Sequence, residues 1–214
     1  MKLIEHRLSD FLREVASPSP APGGGSVAAA AAAMGAGLVR MMGHLTVGKK
    51  KFLALGPDVQ DAFRTVTEKM DGIQACLLDL VDEDTLAFNR IMEAYALPKT
   101  TEEEIGVRTE AVRKATIGAI RVPLETASLA LDVLVHLDIV LEHGNRNCLS
   151  DLAVGALMLY AGLEGALLNV ETNLSSIDDA ERAEGFRKKC EEFLETGRTA
   201  KDRILSTVHA RLRG

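Results

Sequence analysis

Apolar positions along the chain recur with helical spacing and nowhere with the strict alternation of a strand. Leu3, Ile4, Leu8, Phe11, Leu12 and Val15 fall on one face of a first amphipathic helix, with Glu5, Arg7, Asp10, Arg13 and Glu14 between them. Ser17 to Gly25 holds three prolines and three glycines in nine residues, which stops that helix. Ser26 is the expected N-cap of a second helix over Val27 to Leu45, apolar nearly all round and built from Ala, Gly, Val and Met. Pro57-Asp58 opens a third helix running to about Ala96 and ended by Leu97-Pro98-Lys99. Thr101 with Glu104 forms a capping-box signature for a fourth, which reaches His143-Gly144-Asn145 and which Pro123 should kink or split. Ser150-Asp151 starts a fifth helix, Gly/Ala-rich and apolar up to Leu174. Asp178-Asp179 starts a sixth, strongly charged and running to the end.

This pattern predicts an all-α fold, a bundle of about six helices in one domain over residues 1–214. Helices two and five are greasy and rich in small residues, so they belong at the centre, wrapped by the four amphipathic ones. The second helix carries more small apolar surface than one core of this size needs, which suggests at least a dimer. Composition agrees. Hydrophobic residues make up 47% of the chain and aromatics only 4%, with no Trp, so the core is aliphatic.

The net charge of −6 argues against a general nucleic-acid binder. The longest uninterrupted apolar run, Val27 to Val39, is shorter than the ~20 residues a membrane span needs. The charged N-terminus does not read as a signal peptide. Three widely spaced cysteines, Cys76, Cys148 and Cys190, read as free thiols, and a cytoplasmic protein is the expectation. The five histidines are scattered with no metal-ligand spacing, so no metal is expected.

Several stretches carry candidate chemistry, each with a plainer alternative. Pro22-Gly23-Gly24-Gly25-Ser26 feeds a helix N-terminus, where exposed amides hold an anion or a polar ring edge; the plainer alternative is a tight turn into a crowded core. Asp84, in Asp82-Glu83-Asp84, lies one turn from Ala87 and Phe88. Beside apolar side chains a carboxyl group has a raised pKa and shuttles protons; otherwise it is a solvated helix rim. Gly144 to Asp151, with Asn145, Ser150 and Asp151, is turn chemistry plus an N-cap, or a polar pocket wall. Asn169 and Asn173, four apart on a greasy helix, bond a neighbouring segment or line a pocket. Lys49-Lys50-Lys51 is a solvated face or a site for a polyanionic tail.

Taken in order, these segments are specific: Pro22-Gly-Gly-Gly-Ser26, Leu45-Thr46-x-Gly48-Lys-Lys-Lys-Phe52, Asp84-x-x-Ala87-Phe88, Leu97-Pro98-Lys99, Val122-Pro123, Gly144-Asn145-x-Asn147-x-x-Ser150-Asp151 and Gly165-Ala166-x-x-Asn169-Val170-x-x-Asn173-Leu174. Over nearly the whole chain this resembles the formiminotetrahydrofolate cyclodeaminase family, which also contains stand-alone methenyltetrahydrofolate cyclohydrolases. The resemblance implies an all-helical homodimer that takes a folate, possibly polyglutamylated, as substrate and needs no resident cofactor. It implies that Asp84 is the acid/base carboxylate and that Gly23, Gly24, Gly25 and Ser26 form the folate-binding turn. Asn145, Ser150, Asp151, Asn169 and Asn173 become pocket or pocket-support positions, and Lys50 with its neighbours a site for the glutamate tail. Cyclodeamination is the first expectation and cyclohydrolysis the alternative. A non-catalytic folate-binding dimer is the rival from another class.

Overall fold

The computed structural model describes residues 2–177 and 179–214. Among them there are eight α-helices and no strand. These are α1 (Leu8–Val15), α2 (Gly24–His44), α3 (Lys50–Leu53), α4 (Pro57–Ala96), α5 (Glu102–Val135), α6 (Leu137–His143), α7 (Leu149–Leu174) and α8 (Ala180–Arg213). Single 3-10 turns at Leu3–Glu5 and Arg146–Cys148 complete the order. The predicted first helix is therefore shorter than expected, with a 3-10 turn ahead of it. The α8 start predicted at Asp178-Asp179 is seen at Asp179, whose carboxylate caps the Arg182 amide; Asp178 lies outside the described residues.

The two apolar helices are central and antiparallel. Gly24 lies by Asn169, Gly162 by Ala28 and Ala32, and Gly35 by Gly155 and Leu159. A Cβ on Gly162 would stand 2.7 Å from the Ala28 carbonyl oxygen and 2.8 Å from the Ala32 amide. The two backbones thus approach closer than any side chain at that position permits. α4, about 60 Å long at 1.5 Å per residue, and α5 pack on this pair, and α8 closes the α5/α7 side. The buried core is almost wholly aliphatic and includes Leu77, Ile120, Leu152, Leu159 and Leu163.

Two boundaries differ from the sequence expectation. Pro123 neither ends nor splits α5, and the break comes at His136. Proline cannot donate to the carbonyl four residues earlier. Here that carbonyl, on Ala119, accepts a hydrogen bond from the Asn173 side-chain amide at 3.1 Å. A second helix supplies the missing donor, so the helix continues. The other difference lies at the start of α2. Gly23 is the N-cap and α2 begins at Gly24, which makes Ser26 the third residue of the helix, fully buried, and not its cap.

Candidate functional site

The first turn of an α-helix leaves its leading amides without intrahelical partners. At the start of α2 one of these, the Ser26 N–H, donates to Asp84 Oδ2 at 2.8 Å. The Ser26 hydroxyl donates to the Val81 carbonyl at 2.7 Å and lies 3.2 Å from the same Asp84 oxygen. Gly25 makes the approach possible, since a Cβ there would collide with the Asp84 carboxylate itself. The helix N-terminus is therefore an anion site occupied by the protein's own carboxylate. This sharpens the reading of the glycine-rich turn, whose Ser26 amide holds the acid/base candidate in place while Gly25 leaves room for it.

Two opposing effects act on that carboxyl group. Burial raises its pKa above the ordinary aspartate value and is the larger; the Ser26 hydroxyl and amide hydrogen bonds pull it down. The net result is a carboxyl group held in one orientation that binds a proton more tightly than a solvated aspartate. The three consecutive acids of α4 have three separate partners. Asp82 accepts the Leu3 amide at 2.5 Å, Glu83 pairs with Arg90, and Asp84 faces the α2 N-terminus.

Asn169 closes the same corner, next to Gly24. Its amide donates to the Gly165 carbonyl at 2.8 Å. Asn173 spends its two N–H bonds on Ala119 and Asn169 carbonyls. In this structure Asn173 thus braces α5 against α7. One turn beyond it, Ser176 and Thr116 line a cavity of about 310 Å³ that also holds Tyr95, Arg108, Arg113 and Arg182. The sequence reading passed over these arginines because they are dispersed across two helices with no shared spacing.

Two of the remaining candidates, Lys50 and Asn145, belong to a second cluster. Thr46, Lys49, Lys50, Lys51, Asn145 and Arg146 border a cavity of about 660 Å³. Its floor is set by Asn145, whose amide N–H donates to Thr46 Oγ1 at 2.9 Å and whose side chain donates to the Leu45 carbonyl at 3.3 Å. Asp151, half-buried, and Ser150, exposed, stand in the first turn of α7 and do not line this cavity. This cluster is at the C-terminal end of α2, whereas Asp84 and Gly25 are at its N-terminal end. The 21 residues of α2 separate the two by about 30 Å. One chain therefore brings Gly23–Ser26, Asp84, Asn169 and Asn173 together, and Lys50 and Asn145 together, but not the two groups with each other, and Ser150 and Asp151 line neither. Among the described residues no group of His, Cys, Asp and Glu is arranged to hold a metal ion.

Residues 7–192 match the family model of formiminotransferase-cyclodeaminase. The chain belongs to this family. It is 38% identical to a methenyltetrahydrofolate cyclohydrolase of Methylorubrum extorquens, over 96% of this chain and 97% of that one. It is 37% identical to the formimidoyltransferase-cyclodeaminase of Rattus norvegicus over 98% of this chain, which spans 38% of the rat protein's length. Among solved structures, the formiminotetrahydrofolate cyclodeaminase of Thermotoga maritima superposes with a TM-score of 0.77 at 30% identity, covering 98% of this chain and 97% of that one. The all-helical cyclodeaminase fold is thus as the resemblance implied, and the two central helices are where their apolar, small-residue composition put them.

Proposed function

We propose that this family member acts on the one-carbon bridge between N5 and N10 of tetrahydrofolate, forming or opening 5,10-methenyltetrahydrofolate, with Asp84 as its acid/base group. The observation that carries the reading is a partly buried carboxyl group with a raised pKa, pinned by Ser26 at a helix N-terminus. In the deaminating direction N10 attacks the formimino carbon on N5. Asp84 accepts the N10 proton and returns it to the nitrogen that leaves as ammonia. In hydrolysis Asp84 takes a proton from water as it attacks the methenyl carbon and delivers it to N5 as the ring opens, while the remaining hydroxyl proton passes to solvent and leaves a formyl group on N10. Both need a group that ionises near the working pH and keeps its orientation, and one carboxyl group serves for both transfers. The Gly23–Gly24 segment and Asn169 would hold the substrate's polar edge so that the two nitrogens stay in a closing geometry.

Deamination is supported by the likeness over the whole fold to the Thermotoga cyclodeaminase. Hydrolysis is a second reading, supported by the cyclohydrolase relative matched over nearly its whole length. Following the methenyl chromophore separates them. Its growth from 5-formiminotetrahydrofolate with ammonia release marks the deaminase. Its decay from methenyltetrahydrofolate above the buffer rate marks the hydrolase. Asp84→Asn should abolish whichever is seen while folate binding persists. Wild-type turnover by that variant would refute the assignment, and no turnover of either substrate by the wild type would leave a folate-binding module.

A further inference from the structure

We infer that the cavity between the C-terminal end of α4, the N-terminal half of α5 and the turn from α7 into α8 is a second ligand site, which takes a phosphate monoester of about nucleotide size through Arg108, Arg182 and Thr116.

The first observation is a cluster of guanidinium groups without acids to match it. Arg108, Arg113 and Arg182 line one cavity of about 310 Å³, two of them from α5 and one from the first turn of α8. Arg113 is matched by Glu110 at 2.6 Å. Among the described residues no carboxylate pairs with Arg108 or Arg182. Asp179, the acid on the lining, caps α8 by accepting the Arg182 backbone amide at 3.0 Å. A concave wall carrying an excess of one charge focuses its field and draws counter-ions.

The second observation is that Arg108 is held ready. Its Cζ lies 5.4 Å from the centre of the Tyr95 ring, and its Nε donates to the Tyr95 carbonyl at 3.3 Å. These contacts fix the plane of the guanidinium and leave its two terminal nitrogens as a fork, the geometry that grips an oxyanion through two parallel bonds.

The third observation is a hydroxyl group with no partner. Four threonines are buried: Thr46, Thr67, Thr116 and Thr126. Three of them bond the carbonyl four residues earlier, on Met42, Phe63 and Val122. Thr116, 3% exposed, has no hydrogen-bond partner among the described residues, and it lines the arginine cavity. Buried polar groups are as a rule paired, so this hydroxyl is placed for a group that enters from the cavity.

These positions define the ligand. One fork satisfies the two oxygens of a flat carboxylate. Two unmatched forks, brought in from α5 and α8, fit a group with three terminal oxygens and nearly two negative charges, which is a phosphate monoester. Thr116 is two turns from Arg108, about 12 Å along α5, so the ligand extends beyond its phosphate and ends in a polar edge. Between the two, Val112, Ile117 and Ile177 supply apolar wall for a ring. The volume is at the small end of ligand pockets, as a mononucleotide requires. The arginine end is separate from the proposed reacting corner. Tyr95 and Asp84 are eleven residues apart on α4, about 16 Å, and a benzoylglutamate tail, about as long as three extended residues or ~10 Å, ends short of it.

Calorimetric titration of the whole protein at low ionic strength tests this without turnover, so its outcome does not depend on the folate reading. AMP should bind, and adenosine and inorganic phosphate should each bind at least about tenfold more weakly. Arg108→Gln and Arg182→Gln should each weaken AMP by about tenfold or more. Arg108→Lys keeps the charge but not the fork and should not restore binding. Arg187→Gln, exposed on α8 and outside the cavity, should change nothing. Thr116→Val should weaken AMP severalfold and leave Tm without ligand equal or higher, because it removes a buried hydroxyl that has no partner. A wild type that does not bind AMP, equal affinity for phosphate alone, an equal loss in Arg187→Gln, or unchanged AMP affinity in Thr116→Val with a lowered Tm would each overturn the proposal. So would p-aminobenzoylglutamate binding more tightly than AMP and losing affinity in Arg108→Gln, which would give the cavity to the substrate's own carboxylates.

Discussion

Gly25→Ala isolates the contact on which the proposed chemistry depends. Inside a helix, Ala in place of Gly stabilises by up to about 1 kcal/mol. At Gly25 the added methyl group meets all three terminal atoms of the Asp84 carboxylate. The carboxylate must move, and the Ser26 N–H bond at 2.8 Å and the Ser26 hydroxyl contact at 3.2 Å go with it. Hydrogen bonds to a charged group are worth about 1.5–3 kcal/mol each, so the helix gain is offset and Tm should change by only a few degrees or fall. Catalysis should fall much further. A displacement of about 1 Å in a positioned group costs on the order of 100-fold, or about 2.7 kcal/mol in transition-state stabilisation. The assay is kcat/KM by the methenyl absorbance, with Tm on the same preparation. Gly24→Ala is the comparison one residue away. Its Cβ would lie 3.1 Å from the Asn169 amide nitrogen, the far end of a side chain that can shift, and its loss should stay under about tenfold. A Gly25→Ala protein with raised Tm and kcat/KM within about threefold of wild type would show that Asp84 does not need its place at the α2 N-terminus.

Ser26→Ala removes one of the two interactions that lower the Asp84 pKa; the acid limb of the kcat/KM profile should move to higher pH, and a limb that stays put or moves down would separate that limb from Asp84. Asp84→Asn has a stability consequence as well. The folded chain holds the Asp84 proton more tightly than the unfolded chain, so wild type loses stability as pH rises through the folded pKa. The variant should lack that loss, with Tm at neutral pH equal to or above wild type, and a large drop in Tm would contradict the burial of the charge as its main perturbation. Asn173→Ala strips the donor from the Ala119 carbonyl left by Pro123 and should cost about 1–3 kcal/mol in chemical denaturation. Pairing it with Pro123→Ala, which restores the helical N–H, should recover part of that loss. Gly72→Ala, on an exposed face of α4 with nothing within 4 Å of the new methyl group, should raise stability by about 0.5–1 kcal/mol.

Helix placement was legible because these helices announce themselves in period and caps. The Thr101/Glu104 capping box holds as read, and Pro57 opens a 40-residue helix as read. That Pro123 leaves α5 unsplit was not legible because the local rule counts only the helix that contains the proline. The donor that rescues Ala119 comes from Asn173, 54 residues away in sequence, and no window over α5 contains it. Ser26 was misplaced for a related reason. Ser before an apolar run reads as a cap, but Gly23 caps this helix and the serine hydroxyl turns inward to Val81 on α4.

The candidate site shows the same limit at larger scale. Motif order placed Gly25 and Asp84 in one pocket, and they do meet, because α2 and α4 pack side by side and Gly25 leaves room for the carboxylate. It also placed Lys50 and Asn145 in that pocket, and within one chain they stand at the far end of α2. A linear motif list carries no information about which end of a helix a residue serves.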